Sequence, residues 1–260
     1  MKKQLSYENY RLVFEDHFDE PELNRSRWNV ELHEPGWVNR EWQEYVDSPD
    51  TIRLENSMLL IRPIRTEQKD GSFAYTSGRI STQYKHDFTY GLFEARLRVP
   101  RGKGFLPAFW LMTTDEDRYG QWPVCGEIDI MEIQGHDTRT EYGTIHYGLP
   151  HAQDQSKLTL YSGDFAEQFH TFTLEWTPER LRWYADGRPF HEAKQWYSAG
   201  ADGIRAPFPA PFNHDMYIIL NLAVGGSWVG YPDETTDFET AVFEVDYVRV
   251  YQKNNLYLRR

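Results

Sequence analysis

Three carboxylates sit among apolar residues in the stretch Gly126-Glu127-Ile128-Asp129-Ile130-Met131-Glu132, at spacings i, i+2 and i+5. Two carboxyls on one face can do acid/base and nucleophilic work on a single bond. Sharing a face is the difficulty. In a flat strand side chains alternate, so Glu127 and Asp129 point one way. Glu132 has the opposite parity and would point into the core with Ile128 and Ile130, where a bare carboxylate is costly to desolvate. One extra residue, a β-bulge near Ile130-Met131, restores parity and returns Glu132 to its partners. The bland reading is a solvated strand face with one stray acid.

The elements that must carry this stretch read as strands. Residues 10–20 form a strand running into a turn, and 28–62 holds further strand-like pieces. In Trp37-Val-Asn39-Arg-Glu41-Trp-Gln43-Glu-Tyr45 polar residues alternate with bulky ones, so Asn39, Glu41, Gln43 and Tyr45 share a face. Phe93, Ala95, Leu97 and Val99 alternate with charged residues, which predicts a half-buried antiparallel strand. The apolar runs Leu106–Met112 and Tyr217–Gly226 predict central strands, and Asp186-Gly187 predicts a type I′ hairpin turn. Residues 192–215 are Pro-rich and irregular. About a dozen strand candidates, with almost no amphipathic helix and no repeat or composition break, predict an all-β sandwich of two antiparallel sheets in one domain spanning 1–260.

Composition narrows the partners. The chain has 260 residues and a net charge of −12, from 28 Lys+Arg against 40 Asp+Glu. That balance argues against a nucleic-acid partner, which needs a basic face, and leaves a neutral polysaccharide unaffected. Aromatics make up 16% of the chain; they suit strands, and also platforms for sugar rings. The single cysteine, Cys125, allows no intramolecular disulfide and reads as a buried small hydrophobe. No stretch has membrane-spanning length. The opening residues carry no apolar leader, so the expectation is a soluble monomer, either cytoplasmic or secreted with its leader removed.

With Trp122-Pro-Val-Cys-Gly-Glu127-Ile-Asp129-Ile-Met-Glu132 in view, the chain resembles glycoside hydrolase family 16, and within it the bacterial laminarinases and endo-β-1,3(4)-glucanases. The likeness also takes in Asn39-Arg-Glu41-Trp-Gln43-Glu-Tyr45, Ser77-Gly-Arg79-Ile, Pro107-Ala-Phe-Trp110, Gly143-Thr-Ile-His146-Tyr, Asn221-Leu-Ala-Val-Gly-Gly226 and Asp246-Tyr-Val-Arg-Val-Tyr251. It implies a concanavalin A-like β-jelly roll with an open substrate cleft. Glu127 matches the nucleophile, Glu132 the general acid/base, and Asp129 the electrostatic partner between them. Trp110 and Trp122 match subsite walls, and Asn39 and Arg79 match polar contacts to the sugar. His146 is expected to bond Asp129 or substrate, and Trp228 to cap the cleft. Glu41 is expected to support its neighbours. The resemblance further implies a structural Ca²⁺ on the opposite face, held by Asp246 and the backbone carbonyls of His17 and Asn56.

The expected activity is therefore retaining hydrolysis of β-1,3-glucan or mixed β-1,3/1,4-glucan. Its rivals are a family relative acting on a galactan-type polymer, a non-catalytic glycan-binding module on the same jelly roll, and a metal site built from the three acids. Loops around 33–38, 113–121, 149–157 and 227–236 are expected to set linkage preference.

Overall fold

A computed structural model describes residues 4–199 and 204–253. Alternating apolar and polar residues make strands whose apolar side must be covered, and two eight-stranded sheets cover each other. The first runs in the order Arg188–Ala193, Arg180–Ala185, His170–Thr177, Gly91–Arg98, Phe243–Lys253, Leu59–Ile61, Ile52–Leu54, with Tyr10–Asp16 also paired to Phe243–Lys253. The second runs Ala152–Thr159, Thr140–Tyr147, Glu127–Ile133, Phe105–Thr113, Met216–Val224, Arg79–Ser81, Asn29–Val30, with Asp87–Phe88 also on Met216–Val224. Pairing within both is antiparallel, and no helix occurs among the described residues. Phe93, Phe109, Ile128, Trp183 and Leu220 belong to one core between the sheets.

Both predicted central strands lie in the middle of the second sheet, paired to each other from Phe105↔Val224 to Thr113↔Met216. The predicted hairpin turn is present, with Asp186 and Gly187 at φ 48° and 71°, the left-handed pair a type I′ turn requires. Cys125 is fully buried, and burial pushes its thiol up to about 12. Within the Pro-rich stretch, residues 200–203 lie outside the described residues; around them Ser198–Ala199 pairs with Arg205–Ala206.

Two expectations change. The alternation over 37–45 becomes a strand only at Gln43–Tyr45, because Asn39 and Arg40 adopt φ of 52° and 59° and turn the chain. That strand pairs parallel with Phe73–Ser77, in a separate three-stranded sheet. The strand at Gly91–Arg98 is not half-buried throughout. Glu94 on its outer side is 3% exposed, because Tyr7 and Tyr247 lie over it and both donate to its carboxylate, as does Thr173.

The bulge falls at Ile130-Met131. Against Phe105–Thr113 the register is Trp110↔Asp129, then Phe109↔Met131 and Ala108↔Glu132, which leaves Ile130 as the extra residue. Against Thr140–Tyr147 it passes from Asp129↔Thr144 to Glu132↔Tyr142, a second count of the same insertion. A bulge withdraws a backbone carbonyl from the ladder, and a buried carbonyl needs a partner. Trp183, reaching across the core from Arg180–Ala185, donates its indole N–H to the Asp129 carbonyl at 2.7 Å. It can do so because the residue opposite the bulge is Gly143. A Cβ there would lie 2.6 Å from the Trp183 ring.

Trp183→Phe keeps an aromatic ring in place but removes that donor. It is expected to lower unfolding free energy by about 1–3 kcal/mol, the cost of orphaning a buried acceptor. An unchanged denaturant midpoint would show that the indole N–H does not hold the bulge.

Candidate active site

The second sheet's outer face lines an open cleft of about 1040 Å³. Alternation sets which side chains reach it. Leu106, Ala108, Trp110 and Met112 face the cleft, while Phe105, Phe109 and Leu111 face the core. On the neighbouring strand the bulge lets Glu127, Asp129 and Glu132 all line the cleft, while Ile128, Ile130, Met131 and Ile133 enter the core. Gly126 starts this strand at φ 88°, against Pro211 and Phe212, where a Cβ would come within 2.9 Å of both.

Three carboxyls in one wall cannot all ionise easily. Burial pushes the Glu127 carboxyl up to about 7, against the pull of a hydrogen bond from Trp122 and the charge of Arg79. Burial first, then repulsion from Glu127 and Glu41, pushes Glu132 up to about 8. Asp129 is 3% exposed and also raised well above the ordinary carboxylate range, by burial and then by both neighbouring glutamates. Protons are therefore shared across the group at neutral pH. Next to it, His146 sets Nε2 at 3.4 Å from Asp129 Oδ2 and 4.0 Å from Glu127 Oε1. Its Nδ1 meets His151 Nε2 at 2.9 Å, and burial together with His151 pushes its pKa down to about 4. Trp122, about half exposed, packs over both imidazoles.

The rest of the wall is a polar frame. Trp110 donates Nε1 to Asn221 Oδ1 at 2.7 Å, and Asn221 Nδ2 donates to the buried Tyr45 hydroxyl at 3.0 Å. Glu41 accepts from Gln43 at 2.7 Å and from Asn39 at 3.3 Å, which gives it the supporting place expected of it. Gln43 in turn accepts the backbone N–H of Val224. Arg79 lines the cleft but is 5% exposed. Its guanidinium bonds Glu31 and lies between the rings of Trp37 and Trp110, at 5.3 and 4.9 Å from their centroids. Trp228 stands 43% exposed at the cleft wall, edge-on to Tyr142. All nine cleft candidates from the sequence thus converge on one cavity. Glu31, Tyr45, Asn221 and Trp183 were not assigned a part in it. Asn221 carries a legible signal, as the lone polar residue of the Tyr217–Gly226 run. Glu31 carries none, since its meaning depends on Arg79, far along the chain.

The proposed calcium ligands lie apart from the cleft, around Phe243–Lys253 of the first sheet. The single carboxylate, Asp246, accepts Arg96 Nη1 at 2.5 Å, and the His17 ring lies beside Glu15 and Arg249. Calcium takes six to eight oxygens with negative charge among them. Here the one carboxylate of the proposed set is engaged by a guanidinium.

The family model for "Glycosyl hydrolases family 16" matches residues 37–248. The chain is 37% identical to a "Glucan endo-1,3-beta-glucosidase" of Cryptopygus antarcticus, over 94% of this chain and 92% of that protein. It is 34% identical to "Glucan endo-1,3-beta-glucosidase A1" of Niallia circulans over 93% of this chain, and there it spans only 38% of the relative's length. Among solved structures, the laminarinase catalytic domain of Thermotoga maritima superimposes with a TM-score of 0.79 at 37% identity, covering 95% of this chain and all of that one. The chain belongs to glycoside hydrolase family 16. Its two-sheet sandwich is the jelly roll that the resemblance implied.

Raised carboxyl pKa values have a stability consequence with a definite sign. Glu132 costs the fold nothing while protonated in both folded and unfolded chains, below pH 4.5. The cost grows as pH rises from 4.5 to about 8 and is full above that. Glu132→Gln, which cannot ionise, is therefore expected to raise Tm, with a larger gain at pH 9 than at pH 5. A gain that does not grow with pH would contradict the assignment.

Proposed function

We propose that this chain is a retaining endo-β-glucanase acting on β-1,3-glucan, and on mixed β-1,3/1,4-glucan, by double displacement. The observation that carries the reading is the bulge, which sets Glu127 and Glu132 on one face of an open cleft. Glu132, whose carboxyl burial pushes up to about 8, holds a proton at neutral pH and donates it to the leaving glycosidic oxygen. Glu127, held at the lower value by Trp122 and Arg79, attacks the anomeric carbon. Water then enters with Glu132 as base, the glycosyl–Glu127 bond breaks, and configuration is retained. Asp129, between the two, passes charge and proton within the group.

The same reading gives the walls their parts. Trp122 and Trp228, both substantially exposed, offer faces for glucose rings. Asn39 and Trp110 present polar and aromatic edges to the sugar. Arg79, bonded to Glu31, acts by holding Trp37 and Trp110 in place more than by touching substrate. The printed names of the relatives support a β-1,3-glucan as substrate, and a net charge of −12 suits a neutral polymer over a phosphate backbone. For the opposite sheet we propose that Arg96 takes the place of a cation at Asp246.

Glu127→Ala should lose at least about 10³-fold of reducing-end release from laminarin, the scale of a lost catalytic carboxylate. Added azide should restore turnover with an inverted product. Wild-type-like turnover without azide would remove Glu127 from the nucleophile's role. No reducing ends from the wild-type chain would favour a glycan-binding module. For Asp246, Tm is expected to be the same in EDTA and in millimolar CaCl2; a rise of several degrees with calcium would restore the metal.

A further inference from the structure

Asp129 Oδ2 is buried without a hydrogen-bond partner, on a residue 3% exposed. An orphaned buried carboxylate oxygen is expensive. This one points at an imidazole nitrogen. Glu127, Asp129 and His146 each present one ligand atom, all within 4.8 Å of one another, and no other such trio of His, Cys, Asp or Glu occurs among the described residues.

We propose that this trio is a binding site for a transition-metal dication of the Zn²⁺ type, which closes the cleft by occupying the nucleophile. Two ligand atoms about 2.1 Å from a tetrahedral Zn²⁺ lie about 3.4 Å apart. His146 Nε2 and Asp129 Oδ2 are 3.4 Å apart. Glu127 Oε1, at 4.0 Å from the same nitrogen, completes the triangle with a small swing of a flexible side chain. The fourth position faces the open cleft and is left to water.

The second shell is also in place. A metal on Nε2 puts the imidazole proton on Nδ1, which then donates to His151 Nε2 at 2.9 Å. Ligating histidines are commonly held this way through their second nitrogen. Nitrogen in the donor set selects zinc- or copper-like ions over Ca²⁺ and Mg²⁺, which prefer oxygen alone. Binding takes up the Glu127 carboxylate without any covalent step, so inhibition is reversible.

The inhibitory consequence rests on the proposed role of Glu127, whereas the binding itself does not, and the experiment separates them. Protein stripped with EDTA and exchanged into metal-free buffer is titrated with ZnCl2 by calorimetry. One Zn²⁺ per chain is expected, with no such binding to His146→Ala and about 10-fold weaker binding to His151→Ala, the lower end of second-shell effects. Glu127→Gln, close in shape to the native residue, should weaken binding as well and guards against a folding defect in the histidine variants. In parallel, laminarin hydrolysis by the wild-type chain should fall with ZnCl2, recover with EDTA, and be unmoved by equal CaCl2 or MgCl2. Unchanged one-to-one Zn²⁺ affinity in folded His146→Ala would overturn the site. So would equal inhibition by calcium. A wild-type chain inert toward laminarin would instead count against the hydrolase reading and leave the calorimetry to decide the metal.

Discussion

The hydrogen bond from the Trp183 indole to the Asp129 carbonyl is the constraint on which the cleft depends. It spans the sandwich, from one sheet to the other, and ends at the point where Glu127–Ile133 leaves regular pairing. A bulge is locally unfavourable, since it strands a backbone group and breaks a ladder. Here the stranded group has a donor, and the space for that donor exists because Gly143 has no side chain. Core packing thus decides the chemistry of the opposite surface. In unbroken pairing Glu132 would share a side with Ile128 and Ile130, and this strand would offer the cleft two acids instead of three.

The electrostatic cost of that arrangement is offset only in part. Arg79 is the cation whose charge lowers the Glu127 carboxyl, and its own charge is shared with Glu31. Around it Trp110, Asn221, Tyr45, Gln43 and Glu41 form a bonded frame in which most polar atoms have partners. The acids beside it are left poorly solvated. Stability and activity pull against each other at these few positions.

Much of this was legible in the sequence because parity is a hard rule. Glu132 at i+5 cannot join Glu127 on a regular strand, so the bulge follows from spacing and the cost of a buried carboxylate. Asp186-Gly187 and the two central apolar runs were equally direct. What stayed hidden depends on long-range contacts. The burial of Glu94 needs Tyr7 and Tyr247, which lie 87 and 153 residues away along the chain. The parallel pairing of Gln43–Tyr45 has no local signature, and the left-handed turn at Asn39-Arg40 is masked by apparent alternation. Asp246 comes forward as a metal ligand only through the family resemblance. Its partner Arg96 sits on a neighbouring strand, and only the register of the sheet reveals the pair.

In the proposed mechanism two carboxyls brought to one face act in succession on one sugar carbon. The most direct measurement is the anomeric configuration of the first product, followed by proton NMR in the opening minutes of laminarin hydrolysis, before mutarotation. Two displacements at the same carbon predict the β-anomer at the new reducing end. Initial release of the α-anomer would mean a single displacement by water, and Glu127 would not be the nucleophile.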